Sequence, residues 1–82
     1  MFYVYVLKSQ KNGSYYIGAC SDIAKRLIMH NGGQVISTKR YAPWQLVCKE
    51  EYGSLREARQ RELQVKRWKS RKAIEKMIEH SR

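Results

Sequence analysis

The sequence predicts a small α/β domain of the α+β type, in which helices flank a three-stranded, mainly antiparallel sheet. Three short segments are rich in aromatic and β-branched residues, which favours strands. The pair Asn12-Gly13 lies between the first two segments and favours a tight turn, so these strands should be antiparallel neighbours. Serine or aspartate precedes each of three stretches with helical periodicity. With 82 residues, the chain should form one domain over residues 1–82.

The first strand is predicted over residues 2–7 and should be the central strand of the sheet. Alternate side chains of a strand point to opposite faces. One face therefore carries Phe2, Val4 and Val6, and the other carries Tyr3, Tyr5 and Leu7. Neither face is polar, so both should be covered. The second strand is predicted over residues 15–18, where Gly18 should allow a close approach by substrate or by the following turn, and the third over residues 44–49.

The first helix is predicted to begin near Ile23, with Ser21 or Asp22 as its cap. It should end at residues 31–33, where glycine supplies the left-handed conformation. Residues 34–43 are mixed and polar, and they are expected to form a loop or one short helical turn.

Two further helices are predicted in the C-terminal half. Ser54 and Glu57 form a capping box, and the helix that they begin should run to about Trp68. Ser70 should cap the last helix. The buried side of that helix is expected to consist of Ala73, Ile74, Met77 and Ile78.

Glu62 lies on the apolar side of the helix that ends near Trp68. This side is a stripe that consists of Leu55, Ala58, Glu62 and Val65. A carboxylate that faces a core is costly unless it is paired or binds a metal. Two interpretations therefore stay open: Glu62 pairs with Arg59 or Lys66 at a wet edge of the stripe, or it belongs to a functional site.

The chain is strongly basic, with 17 lysines and arginines against 7 acidic residues and a net charge of +10. Such a charge attracts polyanions, and nucleic acid is the expected partner. The expected phosphate-contacting surface is a basic run that consists of Lys66, Arg67, Lys69, Arg71 and Lys72. The alternative is that these residues only solubilise the helices. A membrane partner is not predicted, because the sequence has no long basic amphipathic helix with aromatic anchors and no stretch that could span a bilayer.

The two cysteines bear on the compartment. Cys20 and Cys48 lie far apart and lack metal-ligand spacing, so both are expected to be buried or half-buried thiols in a reducing environment. The first residues lack the basic segment and the long apolar run of a signal peptide. The protein is therefore expected to be cytoplasmic.

Arg26 and His30 are four residues apart and share one face of the first helix. By themselves they are compatible with a solvated helix face, in which the helix dipole favours His30 near the C-terminus and Asp22 is a potential ion-pair partner of Arg26. Tyr5 and Tyr16 are likewise compatible with ordinary sheet packing. A phenol, with an ordinary pKa of about 10, is a poor base at neutral pH unless positive charge is nearby.

Taken together, these residues resemble the GIY-YIG nuclease domain, and more narrowly its small stand-alone bacterial members. The order that carries the resemblance is Tyr3-Val4-Tyr5, a short hairpin, Tyr16-Ile17-Gly18, then Arg26, His30 and a helical Glu62. The resemblance covers essentially the whole chain. It includes the segments Ser37-Thr38-Lys39, Pro43-Trp44 and Arg61-Glu62 leading to Lys66-Arg67-Trp68.

The resemblance implies a three-stranded antiparallel sheet flanked by helices, and cleavage of DNA phosphodiesters that depends on a divalent metal, Mg²⁺ or Mn²⁺. It also implies a role for each of five residues. Tyr16 acts as, or beside, the general base, and Tyr5 is a hydrogen-bonding partner in the same site. Arg26 stabilises charge on the phosphate, and His30 supports the site or transfers a proton. Glu62 is the single metal-binding carboxylate, so the metal should keep most of its waters and bind weakly without substrate.

Three functional hypotheses are open at this point. The first is a metal-dependent endonuclease, general or structure-selective, in DNA repair or processing. The second is a nucleic-acid-binding module that is weakly active or inactive alone and works with a partner. The third is an interaction domain that needs a larger protein. The five site residues favour the first hypothesis, the small size keeps the second open, and RNA remains an alternative to DNA.

Overall fold

The chain folds as a mixed α+β domain in the computed structural model, which describes residues 1–80. Its elements in chain order are β1 (Phe2–Ser9), β2 (Tyr15–Cys20), α1 (Ile23–Asn31), α2 (Ile36–Lys39), β3 (Trp44–Tyr52), α3 (Leu55–Trp68) and α4 (Arg71–His80). The strands form one sheet in the order β2-β1-β3, and both strand pairs are antiparallel. The predicted fold class is confirmed, and β1 is the central strand as expected.

Each strand extends beyond its predicted end, to Ser9 in β1, Cys20 in β2 and Tyr52 in β3. The added residues are mixed in polarity, which is why the sequence pattern did not include them. Lys8, for example, pairs with a residue of β2 and with a residue of β3. Backbone pairing on both sides keeps such a residue extended whatever the polarity of its side chain.

Helices cover both faces of the sheet. Val4 and Val6 belong to a core cluster with residues of α3 and α4, namely Ala58, Val65, Met77 and Ile78. Tyr5 and Leu7 point to the opposite face and form a second cluster with Cys20 and Trp44, flanked by Ile23 and Leu27 of α1. The alternation predicted for β1 is therefore observed. It places Tyr5 on the side of the sheet that α1 covers.

Side-chain caps fix where the helices begin. The Asp22 carboxylate accepts a hydrogen bond from the Lys25 backbone N–H at 3.0 Å, and the Ser54 hydroxyl accepts one from the Glu57 N–H at 3.2 Å. Asp22 thus serves as the cap of α1, and no ion pair with Arg26 occurs within residues 1–80. At the other end of α1, Gly33 adopts a positive φ of 76°, as the glycine pair predicted.

α3 is attached to the sheet by a two-point ion pair. The Arg61 guanidinium donates from Nε to Glu50 Oε1 at 2.9 Å and from Nη2 to Glu50 Oε2 at 3.2 Å. The same guanidinium lies 5.1 Å from the centre of the Trp68 ring. Because adjacent helical residues are rotated by about 100°, this attachment of Arg61 to β3 turns Glu62 away from β3.

The segment between α1 and β3 contains α2, a single helical turn within the predicted range of residues 34–43. No helix in the described part of the chain is long and apolar enough to cross a membrane.

Candidate active site

The centre of the candidate site is a buried row of hydrogen bonds through His30. The His30 ring has Nδ1 at 2.7 Å from the Thr38 hydroxyl oxygen and Nε2 at 3.1 Å from the Tyr5 hydroxyl oxygen. The Thr38 hydroxyl donates its hydrogen to the Val35 carbonyl at 3.3 Å, so it accepts from His30 Nδ1. Nε2 then carries no hydrogen and accepts from the Tyr5 hydroxyl. In the neutral imidazole, the row therefore places the proton on Nδ1.

The environment of His30 also favours the neutral form. His30 and Thr38 are both fully buried. Burial lowers the pKa of His30, and the positive charge of Arg26 lowers it further. His30 is therefore a weaker base than a solvated histidine, and its neutral Nε2 serves as a hydrogen-bond acceptor for the Tyr5 phenol.

The Tyr5 ring lies across Gly18 of the neighbouring strand. Tyr5 and Gly18 are partners in the β1–β2 register, and so their side-chain positions share one face. A β-carbon on Gly18 would stand 2.5 Å from the Tyr5 hydroxyl oxygen. The expectation that Gly18 makes room for substrate or for the following turn is therefore corrected, since the Tyr5 phenol occupies that space.

Tyr16 packs beside the same row. Its ring centre is 4.9 Å from that of His30 and 6.3 Å from that of Tyr5. The Tyr16 hydroxyl makes no hydrogen bond with any residue that the structure describes, and it is not among the buried polar atoms. It is therefore open to solvent. The two phenols differ in this respect, because Tyr5 is bonded internally and Tyr16 is available to a ligand.

Arg26 and Glu62 bring opposite charges to the Tyr5 phenol from the two layers of helices. Burial raises the pKa of Tyr5 well above its ordinary value, and the neighbouring Tyr16 and Cys20 raise it further. Arg26 of α1 lowers the pKa of Tyr5, whereas Glu62 of α3 raises it. The phenol thus lies within electrostatic range of both charges. Arg26 is exposed and forms no ion pair within the described residues, so its guanidinium can receive an anion.

Glu62 is half-buried and paired. Lys66 donates from Nζ to Glu62 Oε2 at 2.8 Å, and the Glu62 side chain is 19% exposed. The ion pair of Glu62 with Lys66, which was one of the two interpretations, is therefore present. Glu62 also acts on the Tyr5 phenol, as the other interpretation, a functional site, requires. The stripe itself is shorter than predicted. Ala58 and Val65 are fully buried, whereas Leu55, the first residue of α3, is 38% exposed.

A metal at this site would have one protein carboxylate. Residues 1–80 contain no group of three or more histidine, cysteine or acidic side chains that could enclose an ion. The Glu62 carboxylate nevertheless already holds one cation, the Lys66 ammonium. The residues present therefore fit a hydrated divalent metal that Glu62 binds and whose remaining ligands are water and substrate oxygens.

The residues of the predicted basic run lie in two places: three line a groove, and two lie outside it. Lys66, Lys69 and Arg71 line a groove of about 310 Å³ between the β1–β2 turn and the start of α4. The Arg71 guanidinium lies 4.6 Å from the centre of the Tyr15 ring in this groove. Arg67 and Lys72 are exposed outside it. Because Lys66 is bonded to Glu62, the groove leads directly away from the candidate site.

Sequence reasoning missed how three residues, Asn31, Thr38 and Trp44, position the hydrogen-bonded row through His30. Trp44 donates from Nε1 to the Thr38 carbonyl at 2.8 Å. The Asn31 side chain accepts from the Trp44 N–H at 2.5 Å and donates to the Trp44 carbonyl at 3.1 Å. These bonds lock α1, α2 and β3 together behind His30. They join side chains to backbone, which leaves no periodic signal, and only the resemblance pointed to the segments that contain Thr38 and Trp44.

Comparisons with known proteins show the family and the fold. The model of the family described as the GIY-YIG catalytic domain matches residues 1–76. A UPF0213 protein of Staphylococcus saprophyticus is 40% identical over 78 residues, which cover 94% of this chain and 94% of that protein. The "Structure-specific endonuclease subunit slx1" of Schizosaccharomyces japonicus is 46% identical over 54 residues, which cover 58% of this chain and 20% of that protein. The solution structure of a UPF0213 protein from Bacillus halodurans superposes with a TM-score of 0.60 at 32% identity, covering 96% of this chain and 84% of that one.

Proposed function

Because the chain belongs to the GIY-YIG catalytic domain family, we propose that it is a metal-dependent endonuclease that hydrolyses DNA phosphodiester bonds. The observation that carries this proposal is the position of the Tyr5 phenol. It is bonded to a neutral His30 and lies within electrostatic range of an unpaired Arg26 and of Glu62. Proton acceptors, a free cation and a carboxylate are the groups that phosphodiester hydrolysis needs.

In this proposal, the two phenols have different tasks. The open hydroxyl of Tyr16 orients the attacking water and acts as, or beside, its general base. Tyr5 stays protonated because burial raises its pKa. The Tyr5 hydroxyl donates to Nε2 of His30, 3.1 Å away, and so holds its ring beside that of Tyr16. The open Tyr16 hydroxyl can pass the proton that the water loses on to solvent.

Arg26 and Glu62 act on the phosphate. The Arg26 guanidinium binds the non-bridging oxygens, where its planar group stabilises the charge that grows in the transition state. Glu62 would hold the metal, and a bound Mg²⁺ or Mn²⁺ would supply Lewis-acid stabilisation of the leaving oxygen. Lys66, which pairs with Glu62 in the structure, would then be available to a substrate phosphate.

DNA reaches the site along the groove that contains Lys66, Lys69 and Arg71, with Arg67 and Lys72 as further contacts at its flanks. Such contacts give affinity that falls as salt rises. We further propose that cleavage is structure-selective and serves DNA repair or processing. Support comes from the slx1 match, since that relative is named a structure-specific endonuclease subunit. The buried thiols of Cys20 and Cys48 are compatible with the cytoplasm, where we place the protein.

The test is a cleavage assay on duplex, branched and single-stranded DNA, and on RNA, with Mg²⁺, with Mn²⁺ and with a chelator. Glu62→Gln and Tyr16→Phe should each lower the cleavage rate by about 10²–10⁴-fold, as removal of a catalytic acid–base group does. The matched controls are Glu79→Gln, which removes an exposed carboxylate of α4, and Tyr3→Phe, which removes a phenol outside the row. Cleavage that survives both site substitutions would disprove the assignment.

A second function is favoured by one observation. Glu62 is paired with Lys66, and residues 1–80 contain no group of three or more histidine, cysteine or acidic side chains that could hold a metal ion. This arrangement also fits a nucleic-acid-binding module that gains activity only with a partner. Salt-sensitive DNA binding without cleavage of any substrate would establish that function instead.

A further inference from the structure

A second cavity adjoins the candidate site and has no role in the chemistry described so far. It has a volume of about 360 Å³ and lies between the end of β2, α1 and the start of α3. Cys20 and Arg26 line it, and both residues also act on the Tyr5 phenol. A ligand in this cavity would therefore lie directly beside a phosphate bound by Arg26.

Both apolar and cationic side chains line the cavity. The apolar ones are Phe2, Ala19, Met29 and Leu55. The cations are Lys25, Arg26 and Arg59, and none of these forms an ion pair within residues 1–80. Asp22 also lines the cavity, and its carboxylate accepts the N-cap hydrogen bond of α1. Three cations against one carboxylate leave the lining positive.

This combination matches one nucleotide. A base can pack against the apolar side chains of the lining, and its phosphates can meet the guanidinium groups of Arg26 and Arg59. The volume falls in the range of about 300–1,000 Å³ that is usual for small-molecule pockets. A base that is stacked and paired within a duplex cannot enter such a cavity, whereas an unpaired base enters at little cost.

We infer that this cavity binds one unpaired nucleotide next to the phosphodiester held at Arg26. The inference rests on the proposed function and deepens it, because it gives a physical source for structure selectivity. The chain would favour DNA that has an unpaired nucleotide at the cleavage point, such as a flap, a gap or a branch, over continuous duplex.

The test measures binding without cleavage. Fluorescence anisotropy in the presence of a chelator gives the affinity for a duplex with a short central single-stranded gap and for a fully paired duplex of equal length. The wild-type chain should prefer the gapped DNA by about five- to tenfold, at the low end of what base stacking on a protein surface contributes. Arg59→Ala and Leu55→Asp should bring this ratio close to one. A 2-aminopurine base in the gap should change its fluorescence with the wild type and not with Leu55→Asp.

Matched controls come from the same helix. Arg56 and Leu63 are exposed on α3 and do not line the cavity. Arg56→Ala should weaken binding to both DNAs equally, and Leu63→Asp should leave the ratio unchanged. The inference is overturned if the wild type shows no preference, or if Arg59→Ala lowers both affinities as Arg56→Ala does.

The binding test of the cavity and the cleavage test of the nuclease function can fail independently. If Glu62-dependent cleavage occurs and the binding ratio does not respond to Arg59→Ala, the cavity assignment fails alone. If the ratio responds and no substrate is cleaved, the nuclease function fails while the nucleotide site stands.

Discussion

The Tyr5 hydroxyl donates a hydrogen bond to Nε2 of His30 at 3.1 Å, across 25 positions of the sequence. Thr38 holds the opposite nitrogen of the ring at 2.7 Å, which fixes the ring orientation. Both ring nitrogens are thus used inside the protein, and protonation of His30 would require the bond to Tyr5 to reverse, with Nε2 donating to the phenol oxygen. The stability of the fold and the protonation of the site are therefore coupled.

His30 should make the stability of the protein fall in mild acid. Burial lowers the pKa of His30 below its ordinary value of 6.5. The unfolded chain therefore binds more protons than the folded chain between 6.5 and the lowered folded-state pKa, and stability rises with pH over that interval. The contribution is complete above 6.5 and is lost as the pH falls towards the folded-state pKa. Urea unfolding at a series of pH values measures the slope.

Two variants show which histidine is responsible for the slope. His30→Gln should remove it, together with part of the stability at neutral pH. His80→Gln, which removes the exposed histidine of α4, should leave it unchanged. A slope that persists in His30→Gln would refute the coupling.

Gly18→Ala should destabilise the fold through Tyr5. The added β-carbon would lie 2.5 Å from the Tyr5 hydroxyl oxygen and 2.6 Å from Cζ, so the ring must move out of its row. Overpacking of this kind costs about 1–3 kcal/mol of the free energy of unfolding. Chemical denaturation measures the loss, and a double-mutant cycle with Tyr5→Leu should show that most of it disappears once the ring is shortened. At the control position Gly53, a β-carbon would meet nothing closer than 3.9 Å, so Gly53→Ala should be nearly neutral.

Lys66→Met should increase the affinity of Glu62 for a divalent metal. Lys66 now lies 2.8 Å from the carboxylate that a metal would use, and its side chain is 47% exposed. Such pairs contribute roughly 0.2–1 kcal/mol, so the gain should be up to about fivefold. Titration of Mn²⁺ without DNA, followed by electron paramagnetic resonance, measures the affinity. Lys76→Met makes the same charge change on α4 and should have no effect, whereas an equal gain in both variants would point to net charge alone.

The groove residues should determine the salt dependence of DNA binding more than their neighbours do. Each lost phosphate contact lowers the slope of log K against log salt by about 0.9 on duplex DNA. Lys69→Gln and Arg71→Gln, which alter the groove, should each approach this value. The exposed control Lys39→Gln, on α2, should leave the slope unchanged. Equal reductions in all three variants would mean that DNA has no defined path along the groove.

Much of the fold followed from local patterns. The structure confirms the three strand segments, the alternation in β1 and the caps Asp22 and Ser54. Each of these depends only on residues that are close together in the sequence. Strand ends were underestimated, because polar residues such as Lys8 are kept extended by pairing partners that a single segment does not contain. The expected approach of substrate at Gly18 was wrong for a related reason, since the space belongs to a ring from the neighbouring strand.

By itself, the sequence determined the fold class, the faces of β1 and the family resemblance that the family match confirms, since all three rest on residue types in a fixed order. Only the tertiary structure decided that Tyr5 bonds His30, that Thr38 fixes the imidazole and that Glu62 is held by Lys66 while Arg26 stays unpaired. The physical reason is that spacing along a chain fixes which face a side chain occupies. Hydrogen bonds and charge pairs depend on distances between elements, and those are set when the two layers of helices close on the sheet.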